Sequence, residues 1–250
     1  MKTHKLNPFI PLLLFLVLGC EPDAAVTFAP MTMNRGGCET CAQVNIAIPH
    51  ALGEAQMAKT VNTAMQEEII SLLHFDDALA VSDVDSAMAS FIQGYEGLKE
   101  KFMGTAMPWE ATIHGSVSYE DAQILTIKLD SYLYTGGAHG YGAVRYLNFD
   151  KIAAQEMDNE ALFTDMDGFV KLAEKAFRIQ EDIPASAPIN STGFMFEMDS
   201  FYLPESIGYT PKGIELFYAP YEIASYADGP IVLTLPFEHC RSFLALQKKS

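Results

Sequence analysis

Apolar positions along this chain change their period as it proceeds. Met57, Val61, Met65, Ile69 and Leu72 recur at helical spacing and predict an amphipathic helix from about Gly53 to His74. Val84, Met88, Phe91, Tyr95, Leu98 and Phe102 make a second apolar stripe. Ser82, with Asp85 three residues on, reads as the capping box that starts this helix, and Gly104 and Pro108 close it. The period then falls to two. Ala111, Ile113, Val117 and Tyr119 alternate with polar neighbours, as do Leu125, Ile127, Leu129 and Leu133, and 144–149 reads as a further strand. Short connections between these runs predict an antiparallel meander with one face packed on the helices.

The same alternation of element types recurs downstream. Upstream of the first helix "VNIAI" (44–48) is a short strand ended by Pro49, and past the meander 150–160 is polar and irregular. Thr164 with Asp167 reads as the cap of a third helix carrying Phe169, Leu172, Ala173, Ala176 and Phe177. "IELFYAPYEI" (214–223) and "PIVLTLPF" (230–237) finish the sheet. The expected class is α+β, with mostly antiparallel sheets, helices packed on one face, and two helix-then-strand blocks at 37–150 and 151–245.

One stretch breaks the periodic pattern. "YLYTGGAHGYGAVRY" (132–146) sets Gly136, Gly137, Gly140 and Gly142 between two aromatic-rich runs, with His139 among them. Glycines supply the positive φ that a tight or bulged turn requires, so a hairpin connection is the plain reading. His139 itself could serve as a metal ligand, a general base or a hydrogen-bonded turn residue. A base needs a nucleophile or carboxylate that it orients. The sequence holds no G-x-S-x-G, H-E-x-x-H, P-loop or complete G-x-G-x-x-G, and His50, His74, His114 and His239 are each isolated. Asp76 and Asp77 fit a solvated helix end. No catalytic residue, metal site or cofactor is expected, and the chain is expected not to be an enzyme.

The N-terminus changes the picture of where the protein sits. Lys2 and Lys5 precede the apolar run "FIPLLLFLVLG" (9–19), which is too short to span a bilayer and reads as a signal peptide over 1–19. Gly19 followed by Cys20 resembles a bacterial lipobox. That resemblance implies a diacylated Cys20, a lipidated tether over 20–36, and a product anchored to a membrane of the cell envelope on its periplasmic or surface face. Without Lys2 and Lys5, 14 basic residues face 32 acidic ones, a formal charge of −18. Such acidity argues against nucleic acid and favours a basic partner, or simply keeps the protein soluble. Cys38 and Cys41, as C-E-T-C, could be a redox pair, half a zinc site or a small disulfide loop. No second ligand pair stands at zinc spacing, and an oxidising compartment favours the disulfide, with the pairing among Cys38, Cys41 and Cys240 left open.

Two long stretches carry a resemblance. "YLYTGGAHGYGAVRYLNFD" (132–150) and "FYLPESIGYTPKGIELFYAPYEIASYADGPIVLTLPFEH" (201–239) resemble the RsiV-type extracytoplasmic domain pair. That pair occurs in a lysozyme-sensing anti-sigma factor, in some peptidoglycan deacetylases and in Bacteroidetes lipoproteins. The resemblance covers about 40–245. It implies a module that binds a basic protein such as lysozyme, without the sigma-binding segment or the separate deacetylase domain. The ligand-binding positions it implies are Tyr134, Thr135, Gly136, Gly137, Ala138 and His139 in one loop. Ser225, Tyr226, Asp228 and Gly229 form the other. Loops on a rigid scaffold are where binding residues concentrate, and tyrosine offers apolar area with a polar tip. The expected function is a lipid-anchored envelope protein recognising a lysozyme-like basic protein or a peptidoglycan fragment. A cell-wall-modifying enzyme with His139 as base, and a purely structural lipoprotein, are the alternatives.

Overall fold

A computed structural model describes residues 25–75, 81–102 and 107–246. The expected signal segment, Cys20, Asp76, Asp77 and Gly104 lie outside the described residues. Six strands form one mixed sheet in chain order: β1 (Phe28–Arg35), β2 (Gln43–Ala51), β3 (Glu110–Glu120), β4 (Ile124–Tyr134), β5 (Tyr141–Asp150) and β6 (Gln155–Met157). Neighbours are antiparallel except β2 and β3, which run parallel and are joined through α1 (Gln56–Leu73) and α2 (Val84–Lys101). A parallel pair needs a long crossover of this kind. The apolar stripe of α1, with Val61, Ile69 and Leu73 fully buried, lies on the face of the sheet that carries Val44, Ile113, Ile127 and Phe149. Burying a side chain of this size contributes roughly 1.5–3 kcal/mol.

A smaller antiparallel sheet follows, formed by β7 (Ser206–Thr210), β8 (Gly213–Tyr218) and β9 (Ile231–Leu235). α3 (Met166–Gln180) buries Phe169, Ala173 and Phe177 against it. Phe177 is ringed by Phe194, Phe196, Phe201 and Tyr218, with ring centroids 5.0–5.9 Å apart. The short α4 (Phe237–Cys240) covers one end, where Cys240 is buried as a free thiol. The class is α+β, as the periodicity predicts.

Several local expectations are corrected. Part of the segment expected as a tether, from Phe28, is an edge strand paired along its whole length with β2, and Pro30 sits opposite Pro49. β1 is an edge and β2 pairs with β3 only as far as Ala47, so neither proline interrupts a two-sided ladder and β2 continues past Pro49 to Ala51. The cap of α2 is Asp83, whose carboxylate accepts from Ser86 N at 2.7 Å, rather than Ser82. The cap of α3 is Asp165, which accepts from Gly168 N at 2.9 Å, rather than Thr164. Within 150–160, expected as irregular, β6 pairs back onto β5.

The two cores meet along β5. At its C-terminal half, Asn148 donates to Ile207 O at 2.8 Å and accepts from Thr126 Oγ1 at 2.9 Å, all buried. Tyr146 donates its hydroxyl to Glu215, and a Cβ on Gly208 would lie 2.2 Å from Tyr146 Cγ. Only glycine lets β7 approach that ring so closely.

Candidate functional site

The hairpin between β4 and β5 holds the first loop. Gly136 and Gly137 take φ of +107° and +87°, which L side chains rarely adopt, so the sequence dictates the turn. The hydroxyl of Tyr134 donates to Gly137 O at 3.1 Å and ties the loop to its strand. Gly140 is buried under the Tyr132 ring, and a Cβ there would come within 2.4 Å of it. Ala138 and His139 stand exposed at the tip, while Thr135 is half-buried.

The second loop follows β8. A single helical turn at Tyr226–Asp228 is closed by the Asp228 carboxylate, which accepts from Ser225 Oγ at 2.6 Å and from Ser225 N at 3.1 Å. Gly229 leaves the turn at φ +72°. The polar atoms of Ser225 and Asp228 are thus engaged within the turn itself.

The fold brings the two loops into contact. The His139 imidazole stacks on the Tyr226 ring, with centroids 3.6 Å apart and planes 15° from parallel. The Tyr226 hydroxyl donates to Gly140 O at 2.9 Å. That carbonyl also lies 3.2 Å from His139 Nδ1. A carbonyl only accepts, so this contact places a proton on Nδ1, and Nε2 faces the Tyr221 hydroxyl at 3.4 Å. Both ring nitrogens therefore face polar neighbours that orient the imidazole, and neither neighbour is a carboxylate. Among the described residues no group of three or more His, Cys, Asp or Glu is placed to hold a metal ion. Tyr226 and Gly229, with Tyr132 and Pro220, also line a shallow groove of about 470 Å³ between the loops.

Tyr221 was not singled out by the sequence. It lies within "IELFYAPYEI", which reads as one strand, yet β8 ends at Tyr218. Tyr221 takes φ +72° and is 58% exposed. A tyrosine in the left-handed region stores roughly 1–3 kcal/mol of strain, which the surrounding structure must hold in place.

Beyond Tyr221 a cleft of about 630 Å³ opens, lined by Tyr141, Tyr202, Tyr221, Glu197, Glu205 and Glu222 among others. Burial raises the Glu222 carboxyl above its ordinary range, although bonds from the backbone of Ala219 and Glu205 pull it down. The Tyr141 and Tyr202 phenols are likewise raised, first by burial and then by the glutamates around them. Next to it, Glu68 reaches up from α1 to within 3.7 Å of Arg145 Nε. Burial raises its carboxyl and the Arg145 charge lowers it. Sequence reasoning missed this cleft because its residues come from four separate stretches and no motif marks them.

Away from these loops, Cys38 and Cys41 are joined in a disulfide, leaving Cys240 free and buried. No helix among the described residues is long and apolar enough to cross a membrane.

Residues 37–141 match a family model described as Deacetylase PdaC, and residues 152–238 match one described as Protein of unknown function (DUF3298). The two matches meet on either side of β5. A crystal structure of a DUF3298 family member from Bacteroides fragilis superposes with a TM-score of 0.69 at 17% identity, covering 90% of this chain and 95% of that one. A DUF3298 family protein from Pseudomonas aeruginosa superposes with a TM-score of 0.64 at 19% identity, covering 90% and 96%. At such identities the likeness is one of fold. No curated protein matches.

Proposed function

We propose, taking the chain as a paired PdaC-like and DUF3298-like module, that it is an envelope-associated recognition protein whose ligand surface is the pair of joined glycine loops. The reading is that of an RsiV-type, lipid-anchored binding protein that takes a basic protein such as lysozyme. The observation that carries it is the stack of His139 on Tyr226, extended by Tyr221. An aromatic platform with Tyr226 half-buried and His139 and Tyr221 exposed resembles the anchors that dominate protein interfaces. The acidity of the chain would speed and orient the approach of a basic partner.

The test is lysozyme binding to the full chain at low and physiological salt. His139→Ala and Tyr226→Ala are each expected to weaken it at least tenfold, the loss typical of an interface anchor. Absence of binding even at low salt removes the basic-protein reading, and sedimentation with peptidoglycan then tests the glycan version.

The match of 37–141 to a model described as Deacetylase PdaC supports a second reading, a cell-wall-modifying enzyme with His139 as base. That reading requires deacetylase or hydrolase activity in the wild type that His139→Ala abolishes.

A further inference from the structure

The cleft beside the loops shares Tyr221 with the aromatic stack, and its lining has an unusual make-up. Tyr141, Tyr202 and Tyr221 contribute three aromatic faces, and Glu197, Glu205 and Glu222 three carboxylates, while no lysine or arginine lines it. Arg145 lines the adjoining recess rather than the cleft itself, where Glu68 lies 3.7 Å from its Nε and it donates to Glu205 O at 3.3 Å. The Glu205 side chain is exposed and has no ion-pair partner among the described residues.

An inner recess of about 190 Å³ continues from this cleft, sharing Tyr141, Glu205, Ala219 and Glu222 with it. Ser206 lines that recess. It is 6% exposed, and its buried Oγ has no hydrogen-bond partner. A buried hydroxyl without a partner costs about 1–3 kcal/mol, which a native fold tolerates where a visitor supplies the missing bond. The hydroxyl is independent of the carboxylates and points to an occupant bearing a hydrogen-bonding group.

We infer that this cleft is a receptor for a guanidinium or ammonium group. The tyrosine faces would take the cation against their rings, the glutamates would neutralise it, and an N–H reaching the recess would donate to Ser206 Oγ. Aromatic faces and carboxylates together are the chemistry that recognises organic cations. The raised Glu222 carboxyl agrees with this, because the charge of an arriving cation would offset the cost of ionising it in a buried place. The cation could be the side chain of a basic protein or a free small molecule. In the first case the inference rests on the recognition function proposed above, with the cleft as the subsite that reads positive charge.

The experiment is a titration of the full chain with argininamide, followed by NMR of ring-labelled tyrosines, with citrullinamide as the uncharged counterpart. Argininamide is expected to shift the Tyr141, Tyr202 and Tyr221 signals and to bind at least tenfold more tightly than citrullinamide. Glu205→Gln, on an exposed side chain, and Tyr221→Ala are each expected to weaken it at least fivefold, whereas Glu238→Gln, on an exposed carboxylate outside the cleft, should leave it unchanged. Equal affinity for the two amides, or no shift of these tyrosines, overturns the inference. Lysozyme separates the two proposals. If it binds while argininamide does not, the loop surface stands and the cleft falls. If argininamide binds while lysozyme does not, the cleft is a small-molecule site and the basic-protein reading falls.

Discussion

The two halves of β5 meet the second sheet in opposite ways. From Tyr146 to Phe149 every residue is buried, and the polar groups of Tyr146 and Asn148 are bonded across to β7 and β8. From Tyr141 to Arg145 the strand is exposed or half-buried, the sheets part, and tyrosines and glutamates face the gap. One strand thus closes a seam with one end and opens a cleft with the other. Paired polar groups hold the closed end, and unpaired ones mark the end left open for a partner.

The sharpest way to break this contrast is a pair of glycine substitutions. Gly208→Ala would drive a methyl group to 2.2 Å from Tyr146 Cγ, and we expect a loss of about 3 kcal/mol in urea unfolding. Gly142→Ala, at the open end, meets nothing closer than Ser131 O at 3.8 Å and should change stability by no more than about 0.5 kcal/mol. Equal losses would mean that the two ends are packed alike. Next in size is Asn148→Ala. It strands Ile207 O and the Thr126 hydroxyl in a dry interior, at a cost of about 2 kcal/mol by the same assay.

At the open end the expected effect is on binding rather than stability. Tyr221→Gly suits the left-handed backbone and removes the exposed ring, so the melting free energy should move by less than about 1 kcal/mol. Its affinity for lysozyme should nonetheless fall at least tenfold. A comparable loss of stability would place Tyr221 among the structural residues.

The smallest effect is one of pH. Burial raises Glu68 and Glu222 above the ordinary carboxyl value of 4.5, so the folded state holds their protons more tightly than the unfolded chain. Their stabilising contribution is complete below 4.5 and is lost as pH rises through the raised values. Glu222→Gln should therefore flatten the decline in stability between acid and neutral pH. Glu68→Gln should do so less, because Arg145 already favours the Glu68 charge. A steeper decline in either variant would reverse the sign argued here.

The contrast between the ends also explains what the sequence could reveal. Strands with one wet face, such as the first half of β3 and the second half of β4, declare themselves by alternation, and α1 and α3 by their apolar stripes. β7 is buried at all five positions and carries Gly208 at its centre, so no period marks it. The helix caps fall one residue later than expected because Asp83 and Asp165 outcompete the neighbouring Ser82 and Thr164 for the cap position. Gly136 and Gly137 announce their turn, since few other residues accept those dihedrals. Nothing local signals that His139 reaches Tyr226, 87 residues later in the chain, or that Glu205 and Glu222 share a wall with Tyr141. Such sites arise from how two cores are joined, and that is settled only by tertiary packing.

The claim that recognition resides at the open end is tested most directly by hydrogen–deuterium exchange of the full chain with and without lysozyme. Slowed exchange is expected over 135–142 and 219–229, with 207–210 unchanged because the seam is already closed. Protection confined to other segments, or no protection at a lysozyme concentration that saturates binding, would contradict it.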